Sequence, residues 1–268
     1  LEEAERLPPK VKWELKTELR TFAAAQEEFG CVTSIAAFSN NEIVAVDTDY
    51  RQLITLLPQS TGSFIAKRLT HKEITCPKCV SVNKDDRLFV LDGNTVKTFN
   101  RKYELLHHFT CKCENCKPTC LKVDDTSLIA IGSKHMDKIF LSTPDGSPLM
   151  TVTAPMIAEN LAICKQQFIY TNKVKQKLVS IDINGQIVFM LRINRSGQPI
   201  NSLTGGCCDS DNSIYVASDC QIHHYSSEGK FIESFATGCR SPQDITFTPG
   251  GDLVVAAEDS VHIFHRVE

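Results

Sequence analysis

Apolar residues along this chain come in short runs, each opened by a polar turn and followed by a stretch in which apolar and polar positions alternate. The clearest copy is Asp211-Asn212-Ser213-Ile214-Tyr215-Val216-Ala217-Ser218-Asp219, then Gln221-Ile222-His223-His224-Tyr225, a Glu228-Gly229 turn and Lys230-Phe231-Ile232-Glu233-Ser234-Phe235. This pattern predicts a small antiparallel sheet. Alone it cannot bury both faces, so it requires copies. The anchors Ile43, Leu88, Leu128, Phe168, Ile214 and Leu253 each open an equivalent apolar run, at the roughly 40-residue spacing of a four-stranded propeller blade. A further apolar run precedes each anchor, at 35–38, 80–82, 121–123, 161–163, 206–208 and 245–247, and these runs are expected to be the innermost strands around a central channel. The fold class is therefore all-β, a six-bladed propeller.

The two ends carry complementary defects. Val11-Lys12-Trp13-Glu14-Leu15 and Leu19-Arg20-Thr21-Phe22 alternate like an outermost strand with no blade of its own, while the sixth copy stops after its third strand, Val261-His262-Ile263-Phe264-His265. Joining them predicts a sixth blade closed by the N-terminal strand, which removes two open sheet edges. Residues 1–9 read as the tail of a preceding helix or a linker, polar over Leu1 to Leu7 and stopped by Pro8-Pro9. The propeller is expected over 10–268.

Composition changes this picture little. Net charge is −3, so no global field favours nucleic acid or a membrane. No apolar run reaches the roughly 20 residues that span a bilayer. Cys164, Cys207, Cys208 and Cys220, among twelve cysteines, sit in or beside apolar strand runs where a free thiol acts as a small hydrophobe. That placement predicts a reducing compartment and a cytoplasmic location.

The copies with Pro ahead of an inner strand, then a polar turn, an apolar strand ending in Asp, and a strand-turn-strand ending in Phe resemble degenerate NHL repeats, best at Cys76-Pro77 to Phe109, Lys117-Pro118 to Val152 and Ser241-Pro242 to Phe264. With the closing strand, residues 11–268 resemble the C-terminal NHL or NHL-like propeller of a tripartite-motif (TRIM) protein. The resemblance implies a RING-type E3 ubiquitin ligase elsewhere in the full-length protein, oligomerisation through a coiled coil outside this fragment, and a non-catalytic propeller that selects a protein substrate or adaptor or, in some members, RNA. The first and fourth copies lack the Pro, and the charge is not the basic one of RNA-binding members.

Three candidate sites follow. Some propellers are enzymes with a metal in the channel, which wants converging oxygen or histidine ligands. The repeat alignment puts Ser34, Cys79, Cys120, Asn160, Gly205 and Asp244 at the channel mouth, with one carboxylate and one amide, too few for calcium. No cofactor is expected to be required. A second constellation is cysteine-based: Cys76, Cys79, Cys113 and Cys116, with Cys111 and Cys120 as alternates, form two C-x-x-C pairs on adjacent crossovers and match a structural zinc site. Free thiols or an air-formed disulfide are the alternatives. Third, the loops joining second to third strands carry Lys134, Lys138, Lys173, Lys175 and Lys177, with Arg192 and Arg195 from the next crossover, and so predict a cationic sector on blades three and four. Tyr50, Arg51 and Arg240 are expected on the same face. Such a sector fits an acidic protein surface or a phosphate backbone, and few aromatics accompany it for base stacking.

Overall fold

The computed structural model describes residues 11–24, 27–111, 117–195, 198–199 and 203–267, and among them there is no helix. The chain opens with β1 (Lys12–Leu19). Blade one follows as β2 (Val32–Ala37), β3 (Ile43–Asp47), β4 (Gln52–Pro58) and β5 (Phe64–Leu69), and blade two as β6 (Pro77–Val82), β7 (Leu88–Asp92), β8 (Thr95–Phe99) and β9 (Leu105–Thr110). Blade three is β10 (Cys120–Val123), β11 (Ile129–Ser133), β12 (Lys138–Ser142) and β13 (Pro148–Thr153), and blade four β14 (Leu161–Cys164), β15 (Gln167–Asn172), β16 (Lys177–Asp182) and β17 (Ile187–Arg192). A small hairpin, β18 (Asn194–Arg195) with β19 (Gln198–Pro199), leads to blade five: β20 (Leu203–Cys208), β21 (Ile214–Ser218), β22 (Gln221–Tyr225) and β23 (Phe231–Ala236). Blade six is β24 (Pro242–Phe247), β25 (Leu253–Ala257), β26 (Ser260–Val267) and, as its outermost strand, β1.

The two alternating N-terminal segments thus form one strand, antiparallel to β26 from Lys12↔Val267 to Leu19↔Val261, with a register shift between Leu15 and Thr17. Closure is completed by packing. Trp13 lies 6.0 Å from the rings of both Phe235 and Phe247 and edge-on to Tyr215 at 6.3 Å, while Phe22 and Phe29 are buried with blade-one and blade-six residues.

The hydrophobic core is not central. It consists of six clusters, one at each blade junction, such as Ala36, Val44 and Leu53 with Val80, Leu88 and Val90 between blades one and two. This is why the second strands are continuously apolar, Ile43–Asp47 and Leu253–Ala257 for example: both of their faces meet a neighbouring blade. Each junction is also tied near the axis by a side chain bonded to the next blade's backbone. Ser34 Oγ accepts from the Val80 N–H (3.2 Å) and Ser81 Oγ from the Val123 N–H (3.1 Å). Thr119 donates to Ala158 O (2.7 Å), Thr171 to Thr204 O (2.6 Å) and Thr204 to Pro242 O (2.5 Å), and Asp244 Oδ2 accepts from the Ile35 N–H (3.0 Å).

Turn chemistry repeats with the blades. In the reversal between first and second strands one residue takes a left-handed conformation, as at Asn41, Asp86, Ser127, Asn212 and Gly251 (φ 64°, 55°, 67°, 64° and 85°). Several of these turns are held by a polar side chain at their start: Asp124 Oδ1 accepts from the N–H groups of Thr126 and Leu128, both at 2.8 Å, and Asp209 Oδ1 from Asp211 and Ser213 at 3.0 and 2.8 Å.

Candidate functional site

The loops between second and third strands and the crossovers between blades share one face. They are fastened to each other by an acid or amide at the end of the second strand or, as at Asp137, in the turn after it, which explains the recurring Asp of the sequence pattern. Asp47 Oδ2 accepts from the Gly30 N–H (3.0 Å), Asp92 Oδ1 from the Thr75 N–H (3.1 Å) and the Cys76 N–H, and Asp137 Oδ1 from the Met156 N–H (2.9 Å), while Asn172 Nδ2 donates to Met156 O (2.6 Å). Asp92 is buried and ion-paired with Lys97 at 2.5 Å. Burial alone would raise its pKa, but Lys97 and the N–H groups of Cys76 and Thr75 outweigh it and hold the carboxyl below its ordinary value. The face is therefore rigid at its base.

At its centre a cavity of about 300 Å3 opens into the channel, ringed by Thr33, Lys78, Thr119, Glu159, Thr204 and Gln243. Each of these precedes by one residue a position expected there from the repeat alignment. The reason is the period of two in a strand, by which a one-residue slip exchanges the faces. Register shifts at Val32/Ser34, Pro77/Cys79, Leu203/Gly206 and Pro242/Asp244 insert such a slip at the start of four inner strands. A proline at the bulge is the sequence signal in two of them. Ser34, Cys79 and Asp244 instead turn towards neighbouring strands: Ser34 Oγ lies 3.3 Å from Cys79 Sγ and 3.2 Å from Asp244 Oδ2, and Cys79 Sγ donates to Leu121 O at 3.3 Å. Cys120 leaves the channel altogether and is buried in the apolar cluster between blades three and four. A Cβ on Gly205 would meet Asp244 Cα at 2.4 Å, so this glycine serves close approach of two inner strands. Of the expected set only Asn160 reaches the mouth, where its Nδ2 donates across the opening to Gln243 O at 3.3 Å.

Asp244 is the partly buried acid of this region, and its oxygens are engaged by the N–H groups of Ile35 and Ile245 and the Ser34 hydroxyl. Burial pushes its pKa up to about 6, against the pull of Lys122 and those donors. In the cysteine constellation, Cys76 is exposed at the crossover while burial raises the pKa of Cys79 and Cys120. Cys113 and Cys116 lie outside the described residues. Among the described residues no three His, Cys, Asp or Glu side chains converge as a metal site, and the described cysteines are free.

Of the cations expected on blades three and four, Lys134 Nζ bonds Glu159 Oε1 at 2.6 Å. Lys173 lines the channel mouth, and Lys175 follows it in the β15–β16 turn, with Val174 between them 88% exposed. Lys138 opens β12, and Lys177 opens β16 directly opposite Arg192. Arg195 pairs with Gln198 in the small hairpin. Tyr50, 60% exposed, and Arg51 stand on blade one, and exposed Arg240 precedes blade six, so these three do not join the sector. Strand alternation counted from Cys79 hides Lys78; the Pro77 bulge is the sequence feature that turns Lys78 to the mouth.

No protein-family model and no curated relative matches the sequence. Among solved structures, the chain is similar to a gluconolactonase from Xanthomonas campestris (TM-score 0.73, 13% identity, covering 98% of this chain and 99% of that one). It is also similar to a catalytically inactive virginiamycin B lyase from Staphylococcus aureus with quinupristin (TM-score 0.66, 12% identity, 96% and 100%) and to the WD40 propeller domain of Doa1 (TM-score 0.64, 11% identity, 94% and 97%). At such identities the likeness concerns architecture alone. No described helix is long and apolar enough to cross a membrane. By its own strand order and by these neighbours, the chain is a six-bladed β-propeller of four-stranded blades.

Proposed function

We propose that this propeller is a non-catalytic recognition module that binds a protein through its loop face, as the partner-selecting part of a larger TRIM-type E3 ubiquitin ligase acting in the cytoplasm. The observation that carries the reading is the Lys173-Val174-Lys175 tip beside the channel mouth. It presents a fully exposed apolar side chain between two lysines that have no carboxylate partner among the described residues, on loops whose bases are pinned. Such a tip fits an acidic protein surface with an apolar contact at its centre. The commitment of Asp244 to three donors supports a binding rather than a catalytic channel. A zinc ion on the cysteine crossovers would be structural in this reading.

The test is the double charge reversal Lys173→Glu, Lys175→Glu, assayed against the cellular partner pool and against single-stranded RNA. Loss of protein partners with an unchanged melting temperature is the expected result. Loss of RNA binding instead would establish the nucleic-acid alternative, and no change in either would remove the tip from the site.

A further inference from the structure

Every outermost strand of a propeller leaves one row of backbone N–H and C=O groups unpaired, and proteins guard such edges with charge or proline. Here β5 carries Lys67 and Arg68, β9 His107 and His108, β23 Glu233, β1 alternating Lys and Glu, and β13 begins with Pro148. The edge strand of blade four has the longest unbroken apolar run of the six. β17 reads Ile-Val-Phe-Met-Leu before its first charge at Arg192, and among the described residues it pairs only with β16. Ile187 and Val188 are 51% and 47% exposed. On one side Phe189 and Leu191 pack in the junction with blade five, where exposed Phe231 stands 5.6 Å from Tyr225; on the other Met190 packs in the junction with blade three.

The charge at the end of this edge says what covers it. Lys177 and Arg192 are direct cross-strand neighbours, a like-charge pairing that costs stability in an isolated sheet. Among the described residues neither has a carboxylate partner, and Lys173 and Lys175 stand in the adjoining turn. We infer that β17 is a docking edge for an extended peptide segment of a partner, added antiparallel as a fifth strand, with acidic residues opposite Arg192 and alternating apolar residues along Met190 and Val188. Main-chain hydrogen bonds hold such a strand and the charges set its register. A second copy of this chain does not fit: two antiparallel β17 edges would place Arg192 of each opposite Ile187 of the other and leave every cation without an anion.

The inference uses a different surface from the loop-face reading, the β17 main chain on the rim, where Val188 lies four residues along the strand from Arg192. The probe is a labelled peptide, Asp-Glu-Ile-Thr-Val-Thr-Val, titrated with the whole propeller. Binding is expected, with slower hydrogen exchange at the β17 amides. Val188→Lys, which gives the edge the guard its neighbours have, is expected to weaken binding at least about tenfold. Arg192→Glu is expected to weaken it by a similar factor and to favour a peptide that begins Lys-Lys. Failure of the unaltered propeller to bind, equal binding by the Val188→Lys variant, or a concentration-dependent dimer abolished by Val188→Lys would each overturn the proposal. Retention of protein partners by the Lys173→Glu, Lys175→Glu variant, together with loss of the peptide in Val188→Lys, would overturn the loop-face reading alone.

Discussion

Asp244 shows how a single buried side chain writes itself into the pH dependence of the fold. Its pKa of about 6 lies above the ordinary aspartate value of about 3.9, so between these values the native state holds a proton that the unfolded chain does not. Its contribution to stability therefore grows as the pH falls through 6 and is complete below about 4. His224 and His262, whose pKa values burial lowers, run the other way: they stabilise the native state above the unfolded value of about 6.5 and lose that contribution as the pH falls. Because these slopes oppose, the informative quantity is a difference. From pH 7 to pH 5 the melting temperature of the unaltered protein should rise by a few degrees relative to Asp244→Asn; a gap that stays constant across that range refutes the assignment. The partner position Gly205 is tested sterically. In Gly205→Ala the new methyl would meet backbone rather than a movable side chain, so urea unfolding should show a loss of about 1–3 kcal/mol. Neither residue's role was legible in the sequence. By the repeat alignment both fall at the channel mouth, because bulges at the strand starts carry no periodic signal. Nor could the pairing of buried Glu42 with Arg101 and Tyr103 be read, since it joins residues far apart in the chain.

At the level of elements the pattern was far more readable. Second strands are apolar on both faces and opened by turn residues, so all six were found, and the hairpins Asp145-Gly146, Asn184-Gly185 and Glu228-Gly229 place their glycines at φ between 82° and 84° as such turns require. The closing strand was legible from what each end lacked. Removing residues 1–9 should leave folding intact, whereas removal through Phe22 strips the rim of β26, uncovers Phe235 and Phe247 where Trp13 packed, and takes Phe22 from the blade-one junction. Aggregation of the longer deletion on size-exclusion chromatography is the expected outcome; a soluble monomer with unchanged melting would contradict closure by β1. Trp13 is the chain's single tryptophan, so its fluorescence reports directly on whether this strand is seated.

Across the whole molecule, six similar junctions share the apolar core, and the ring is completed by a contact between its two most distant strands. Lys12 faces Val267, and nearly all of the chain lies between them. On a ribosome moving at ~5–20 residues per second, β1 is made roughly 10–50 s before the strand that receives it. For that interval the nascent chain carries an unpaired N-terminal strand, and each new blade adds a junction without removing the last open edge. Blades one to five can form in order of synthesis; ring closure is a late event of high contact order. A circular permutant that begins at Val32 and carries residues 11–31 after Val267 turns the same strand pair into a local hairpin while keeping Phe29 and Gly30. It should refold faster than the natural order at similar final stability, by the same tryptophan signal.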